Sequence, residues 1–234
     1  MNLVLVDACE IDGNVAVLRD RRARHILEVH RAEAGRTLKV GVLGGRIGTG
    51  LVRRADDEAV ELEIALDTDP PAPLACTLVL ALPRPRVMHR VLAGATSFGV
   101  KRIVLIGSQR VEKSYWKSPV LADEAIHREL VAGLEQGCDT MLPVVSKHVR
   151  FRPFVEDELA PLCEGTLALV AHPRTGQPCP RADGAPVTLV VGPEGGFNEF
   201  ELGMLESAGL RSVTLGPRPL RVENAIAALL GRLF

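Results

Sequence analysis

The chain has 234 residues, of which 47% are hydrophobic and 24% charged, a balance that supplies a buried core and argues against a disordered or fibrous protein. Its 28 lysines and arginines against 29 aspartates and glutamates leave a formal charge of -1, which excludes coating of nucleic acid by bulk charge. Only 3% of residues are aromatic, so the core is expected to be aliphatic.

From the amino terminus, Met1 to Glu10 carry Asp7 and Glu10 and lack the basic start and long apolar stretch of a secretion signal. Up to residue 70 the chain reads as short strands. Val15 to Leu18, Thr37 to Leu43, Ile47 to Val52 and Ala59 to Ile64 are β-branched or alternating, separated by glycines and by Asp56-Asp57. A helix is expected near Ala23 to His30, from the spacing of Ile26, Leu27 and His30, and a small β-barrel is the natural closure. Three prolines within Pro70 to Pro73 disfavour helix and mark a boundary.

After Pro73 the rhythm changes to alternating apolar strands and helices. Cys76 to Leu82 reads as a strand, about Pro85 to Phe98 as a helix, Lys101 to Gly107 as a strand and about Pro119 to Gln136 as a helix. Strands at Leu142 to Ser146, Leu167 to Ala171, Val187 to Val191 and Ser212 to Leu215 follow, with helices near Phe154 to Cys163, Asn198 to Ala208 and Glu223 to Leu233. Continuous apolar strands alternating with helices predict an α/β domain with a mostly parallel sheet, helices on both faces. The expected domains are therefore residues 1–70 and 74–234.

Charge is distributed unevenly along this plan. Residues 1–70 and 151–234 each carry a net -3, whereas residues 71–150 carry +5. Arg84, Arg86, Arg90, Lys101, Arg102, Arg110, Lys113 and Lys117 face a single acid, Glu112, over 34 residues. Such a stripe is either a solvated helix face or a surface for a polyanion.

Parallel sheets bind ligands beyond the carboxyl ends of their strands, which directs attention to three segments: 171–174, 192–197 and 216–225. In Gly192-Pro-Glu-Gly-Gly-Phe197 three glycines flank one carboxylate, and Asn198 with Glu201 resembles a capping box. In the third segment Arg218, Arg221 and Glu223 fall within six residues, stiffened by Pro217 and Pro219. Neither GxGxxG nor a phosphate loop occurs, which disfavours a Rossmann-type nucleotide-binding protein. No metal is expected, since the six histidines form no HxH or HExxH and the five cysteines no CxxC. Hydrolase motifs such as GxSxG are missing as well. No apolar run is long enough to span a bilayer.

Leu189-Val-Val-Gly-Pro-Glu-Gly-Gly-Phe197 followed by Leu215-Gly-Pro-Arg-Pro-Leu-Arg-Val-Glu-Asn-Ala225 resembles the RsmE-type ribosomal RNA methyltransferases of the SPOUT class. Arg24-His-Ile-Leu-Glu-Val-His-Arg31 and Ala95-Thr-Ser-Phe-Gly-Val100 are similar to further segments of that family, in the same order. The resemblance implies an amino-terminal PUA-like barrel and a carboxyl-terminal α/β domain with a trefoil knot. It also implies S-adenosylmethionine as cofactor, a homodimer and methylation of N3 of a uridine in 16S ribosomal RNA or the small ribosomal subunit; the cytoplasmic location is expected separately, from five cysteines with no CxxC pair and the acidic start. By position, the implied cofactor residues are His172 and Pro173; Gly192, Pro193, Glu194, Gly195 and Gly196; and Leu215, Gly216, Leu220 and Arg221. The chain departs from the family at Asn224, where a threonine is usual. Its middle segment, with Arg84, Arg86 and Arg90, departs from a usually lysine-rich helix start.

Under this resemblance, Arg221 is expected to stabilise charge developing on the uracil oxygens, and Glu223 or Glu194 to accept the N3 proton or to orient Arg221. RNA phosphates are expected to meet Arg21, Arg22, Arg24 and Arg31 of the first domain and Arg84, Arg86, Arg90, Lys113 and Lys117 of the second. The competing expectation is a non-catalytic RNA-binding or ribosome-assembly protein that keeps the fold.

Overall fold

The computed structural model describes residues 2–29, 31–173 and 177–234. His30 and Arg174, which fall in segments singled out from the sequence, lie outside the described residues. The chain forms two units, one of residues 1–72 with 131–142 and one of 73–130 with 143–234.

The first unit is a mixed six-stranded sheet. Its strands are β1 (Val4–Val6), β2 (Ile11–Asp12), β3 (Val15–Leu18), β4 (Thr37–Val42), β5 (Ile47–Ala55) and β6 (Val60–Thr68), with helix α1 (Arg21–Glu28) after β3. Spatial order is β1-β4-β5-β6-β3-β2. β1 pairs β4 in parallel and the other neighbours are antiparallel. Alternation sorts the side chains: Leu38 and Val40 of β4, Val60 and Leu62 of β6, and Val4 and Val6 of β1 enter one cluster with Ile26 of α1. Leu3 and Leu5, one residue out of phase, pack on the other face with Ile47 and Leu134. That second cluster explains why residues 131–142 join this unit although they are remote in sequence. The same stretch is tied down by backbone bonds from Leu3 N–H to Glu135 O at 3.0 Å and from Gly44 N–H to Thr140 O at 2.8 Å.

Arg22 is part of this framework. It is 8% exposed, donates from Nε to Asp20 Oδ1 at 3.0 Å and from Nη1 to Leu5 O at 2.6 Å, and is ion-paired with Glu10. Where the sequence suggested a phosphate contact, the guanidinium is turned inward, because the Leu5 carbonyl and two carboxylates absorb its donors.

The second unit contains a seven-stranded sheet in which every pairing is parallel. Its strands are β7 (Leu74–Ala81), β8 (Val100–Ile106), β9 (Val144–His148), β10 (Leu167–Ala171), β11 (Gln177–Pro178), β12 (Val187–Val191) and β13 (Arg211–Thr214). They lie in the order β11-β13-β10-β12-β7-β8-β9. All five residues of β12 are buried, as expected of a strand flanked on both edges and covered on both faces. Helix α2 (Pro85–Ser97) buries Met88, Val91, Leu92 and Ala95, one stripe at helical spacing. The remaining helices are α3 (Asp123–Gly137), whose residues from 131 onward are counted with the first unit, short turns α4 (Phe151–Pro153) and α5 (Leu159–Cys163) joined by a π turn, α6 (Glu199–Ser207) and α7 (Val222–Leu233). Val222, Ile226, Leu229, Leu230 and Leu233 form the buried stripe of α7, which packs against α2. No helix among the described residues is long and apolar enough to cross a membrane.

Candidate functional site

Because β13, β10 and β12 are parallel neighbours, their carboxyl ends reach the same edge of the sheet. The loops that leave Ala171, Val191 and Thr214 therefore converge. Between them is a cleft that encloses about 130 Å³. Apolar side chains form its floor: Val191 and Val213 from the strands, Val222, Ala225 and Leu229 from α7, and Leu215 and Leu220 from the third loop.

The glycine-bearing turn after β12 owes its shape to close packing. A Cβ on Gly192 would stand 3.2 Å from both Gly196 Cα and Phe197 N, so a larger residue would need the turn to give by a few tenths of an ångström. Gly196 has φ +69, in the left-handed region that glycine enters without penalty, and its N–H donates to Pro193 O at 2.8 Å. Phe197, 3% exposed, pins the turn to the unit. Helix α6 then begins with a full capping box: Asn198 Oδ1 accepts from Glu201 N–H at 2.8 Å while Glu201 Oε2 accepts from Asn198 N–H at 3.1 Å. Glu201 is 3% exposed, and its other oxygen accepts from Gln109 N–H at 2.7 Å. This buried carboxylate therefore stitches the loop after β8 to the start of α6. Arg110 adds a second stitch by donating to Gly195 O.

Two further ties run through α2. Glu194, exposed at the cleft, accepts the backbone N–H of Arg84 at 3.0 Å, just before the first turn of α2. Glu223, its side chain 13% exposed, is ion-paired with Arg90 at 3.3 Å. Arg221 is the N-cap residue of α7 and is exposed, with no ion pair or side-chain hydrogen bond among the described residues.

Of the residues singled out from the sequence, the structure gathers His172, Pro173, Gly192, Pro193, Glu194, Gly196, Leu215, Gly216 and Leu220 around the one cleft. Gly195 and Arg221 stand beside it without lining it. The cleft also takes in Thr214 and Leu229, which lie outside the three strand-end segments, and Arg218, Pro219, Val222 and Ala225, which lie within the third but were not among the implied cofactor residues. The floor had a signal, the apolar stripe of the last helix, but that pattern reads as ordinary core. Asn224 is exposed on α7.

Among the candidate RNA contacts, Arg84, Arg86, Arg90, Lys113 and Lys117 are exposed on the second unit. On the first, Arg24 and Arg31 are exposed, Arg21 is held by a two-pronged contact to Glu135 at 2.8 and 3.0 Å, and Arg22 is buried as described above. No group of three or more potential metal ligands occurs among the described residues.

Comparison with known proteins adds an independent line. Residues 70–233 match the family model described as an RNA methyltransferase domain. The chain is 30% identical to a ribosomal RNA small subunit methyltransferase E of Treponema pallidum, over 97% of this chain and 88% of that one. It is 29% identical to a protein of the same name from Aquifex aeolicus, over 95% of each. Among solved structures, a ribosomal RNA small subunit methyltransferase E from Neisseria gonorrhoeae, bound to S-adenosyl methionine, superposes with a TM-score of 0.76 at 23% identity, covering 99% of this chain and 95% of that one. A methyltransferase from Legionella pneumophila in complex with the same cofactor gives a TM-score of 0.75 at 22% identity, covering 98% and 95%.

Proposed function

The chain belongs to the RNA methyltransferase family, in the group of the ribosomal RNA small subunit methyltransferases E, and from that premise we propose that it methylates N3 of a uridine in 16S ribosomal RNA with S-adenosylmethionine. The observation that carries the reading is the convergence of three strand-end loops on one cleft, with an exposed guanidinium, Arg221, beside it. When bound, S-adenosylmethionine supplies a methyl group on a positively charged sulfur. The residues present suit it. Aliphatic walls from Val191, Val213, Leu220 and Leu229 accept a flat apolar ring, and the side-chain-free backbone at Gly192, Gly196 and Gly216 leaves peptide groups open to polar edges. His172, Pro173, Pro193, Gly195 and Leu215 complete the three enclosing loops.

In this reading the protein supplies position and charge. Arg221 offsets the negative charge that spreads over the uracil oxygens as N3 loses its proton, an oxyanion-hole role. Glu194 is the proton acceptor, because it lines the cleft and is exposed, whereas Glu223 is largely covered and held by Arg90. Glu223 then serves to fix the first turn of α7 and with it Arg221.

The first unit is read as a PUA-like barrel within residues 1–70 and the second, 74–234, as a SPOUT domain with a carboxyl-terminal knot, acting as a homodimer in the cytoplasm. Arg24 and Arg31 of the first and Arg84, Arg86, Lys113 and Lys117 of the second are assigned to RNA phosphates. Calorimetry with S-adenosylmethionine, beside ATP and NAD as controls, combined with mass mapping of methylated nucleotides in 16S RNA, tests the reading. Arg221→Ala is expected to lower turnover by about 100-fold or more while cofactor affinity changes little. A chain that binds no S-adenosylmethionine, or a variant that loses affinity and turnover together, would overturn it.

A further inference from the structure

A protein that acts on a base in RNA needs a flat surface for that base as well as contacts to phosphates. The chain contains one tryptophan and one tyrosine. They are adjacent, Tyr115 and Trp116, in the 3-10 turn Lys113–Lys117 that follows β8, with a lysine at either end. Both rings are only partly buried, in a protein whose core is built almost wholly from aliphatic side chains. Neither is therefore committed to packing the sheet.

The turn is held in place from both sides. Before it, Gln109 N–H is bonded to Glu201 and Arg110 to Gly195 O, so the segment is anchored on the glycine-bearing turn of the cleft. Val111 and Leu121, 8% and 7% exposed, bury its two flanks. Glu112, the only acid between Arg84 and Lys117, is occupied within the turn, accepting from Tyr115 Oη at 3.0 Å and from Ser114 Oγ at 3.4 Å. Arg84 and Glu194 lie close enough for their charges to act on the Tyr115 hydroxyl. Partial burial and the Glu112 acceptor hold that hydroxyl above its ordinary pKa, so it is a neutral phenol near pH 7. Tyr115 is thus no base at neutral pH, and its ring remains partly exposed.

We propose that Tyr115 and Trp116 form a stacking platform for an unpaired pyrimidine base of the RNA, with Lys113 and Lys117 holding the phosphates on either side. The proposal rests on RNA being the substrate and names where its base is held. Stacking needs a base and no charge, while the lysines read phosphate alone, so the two contributions separate in experiment.

Because Trp116 is the only tryptophan, its emission reports directly on a stacked base. The full-length protein is titrated with a 12-residue oligouridylate and with an abasic ribose-phosphate oligomer of the same length, following tryptophan emission, and polarisation of labelled copies of both. Saturable quenching by oligouridylate but not by the abasic oligomer is expected. Tyr115→Ala should weaken oligouridylate binding roughly tenfold and leave abasic binding unchanged, Tyr115→Phe should retain wild-type affinity, and Lys113→Ala should weaken both ligands. Equal affinity of the wild-type protein for the two oligomers, quenching by both or by neither, or equal losses for both in Tyr115→Ala would overturn the platform. Calorimetry of each variant with S-adenosylmethionine shows that the fold and the cleft persist. Failure of the wild-type protein in that calorimetry counts against the proposed reaction, while failure in the oligomer comparison counts against the platform.

Discussion

Arg90 Nη1 on α2 stands 3.3 Å from Glu223 Oε1 on the first turn of α7, two residues beyond Arg221. The guanidinium keeps half its surface in water while the carboxylate is nearly covered, so the pair acts as a strut between two packed helices. A partly exposed ion pair of this kind contributes little stability, and a double-mutant cycle of Arg90→Ala with Glu223→Gln is expected to give a coupling of about 1 kcal/mol or less. Turnover should respond more than stability does, because the variants loosen the segment that carries Arg221. Denaturant melts and single-turnover rates on the same four proteins check both halves; unchanged rates would remove the strut from the reaction.

Glu201 is expected to be the more important carboxylate for folding. Its loss in Glu201→Ala leaves the N–H groups of Gln109 and Asn198 without acceptors at a partly buried site, at a cost of about 1–3 kcal/mol for each group that finds no water. Urea denaturation measures this, and Glu201→Gln, which keeps one acceptor oxygen, should recover part of the loss. A variant as stable as the wild type would mean that the loop after β8 has another anchor.

Arg22 predicts a separation between stability and RNA binding. Removing a buried guanidinium that serves Glu10, Asp20 and Leu5 O should cost about 3 kcal/mol, because both carboxylates lose their partner. The salt dependence of RNA affinity should stay as in the wild type, whereas Arg24→Ala should reduce its slope by about one. A slope changed by Arg22→Ala at temperatures where the variant is folded would put the side chain back among the phosphate contacts.

Acid stability follows from the same cluster. Burial alone would raise the Asp20 carboxyl, but the hydrogen bonds from the Arg22 side chain and backbone outweigh it and hold the group below its usual range. A carboxyl lowered in the folded state stabilises above its unfolded pKa, near 4, and that contribution is lost as pH falls through the lower folded value. Wild-type stability should therefore drop below about pH 4 more steeply than that of Asp20→Asn. Parallel melting curves from pH 6 to pH 2.5 decide the matter, and identical slopes would deny Asp20 this role.

Gly107, at the end of β8, has backbone on the spot where a side chain would begin: a Cβ there would stand 2.0 Å from Val149 O. Gly107→Ala must push the strand end from its neighbour and is expected to cost about 1–3 kcal/mol or more. Soluble yield and thermal melting report it, and an unperturbed melt would show that residues 149 and 150 can withdraw freely.

Much of the second unit was legible in the sequence because buried parallel strands and one-sided helices leave strong periodic marks. The β7–α2–β8 alternation, the wholly buried β12 and the Asn198 capping box fall where pattern and chemistry put them. Local boundaries moved where competing geometry decided: the helix expected from Pro119 starts as a 3-10 turn and becomes α-helical only at Asp123, and the one expected near Phe154 to Cys163 is broken by a π turn. β1 and the two-residue β11 carry too few residues for a periodic signal. The joining of residues 131–142 to the first unit depends on contacts of Leu134 and Thr140 with residues about 90 or more positions away, which no local pattern encodes. The burial of Arg22 was hidden for a like reason, since a run of arginines reads as solvated charge until Glu10 and Leu5 O are seen around it. At the candidate site the glycines and charges were visible, while the α7 floor was not, because an apolar helix stripe looks the same whether it covers a sheet or a ligand.

The edge of the sheet where β10, β12 and β13 end has one more implication. β10 and β12 are built mostly from aliphatic residues, whereas most of the polar groups that line the cleft lie on the spans beyond the strand tips. Such a layout separates frame from rim: residues 215–220 lie beyond the tip of β13, and Gly192 and Gly196 shape the turn beyond β12, so the sheet itself carries little of the cleft's polarity.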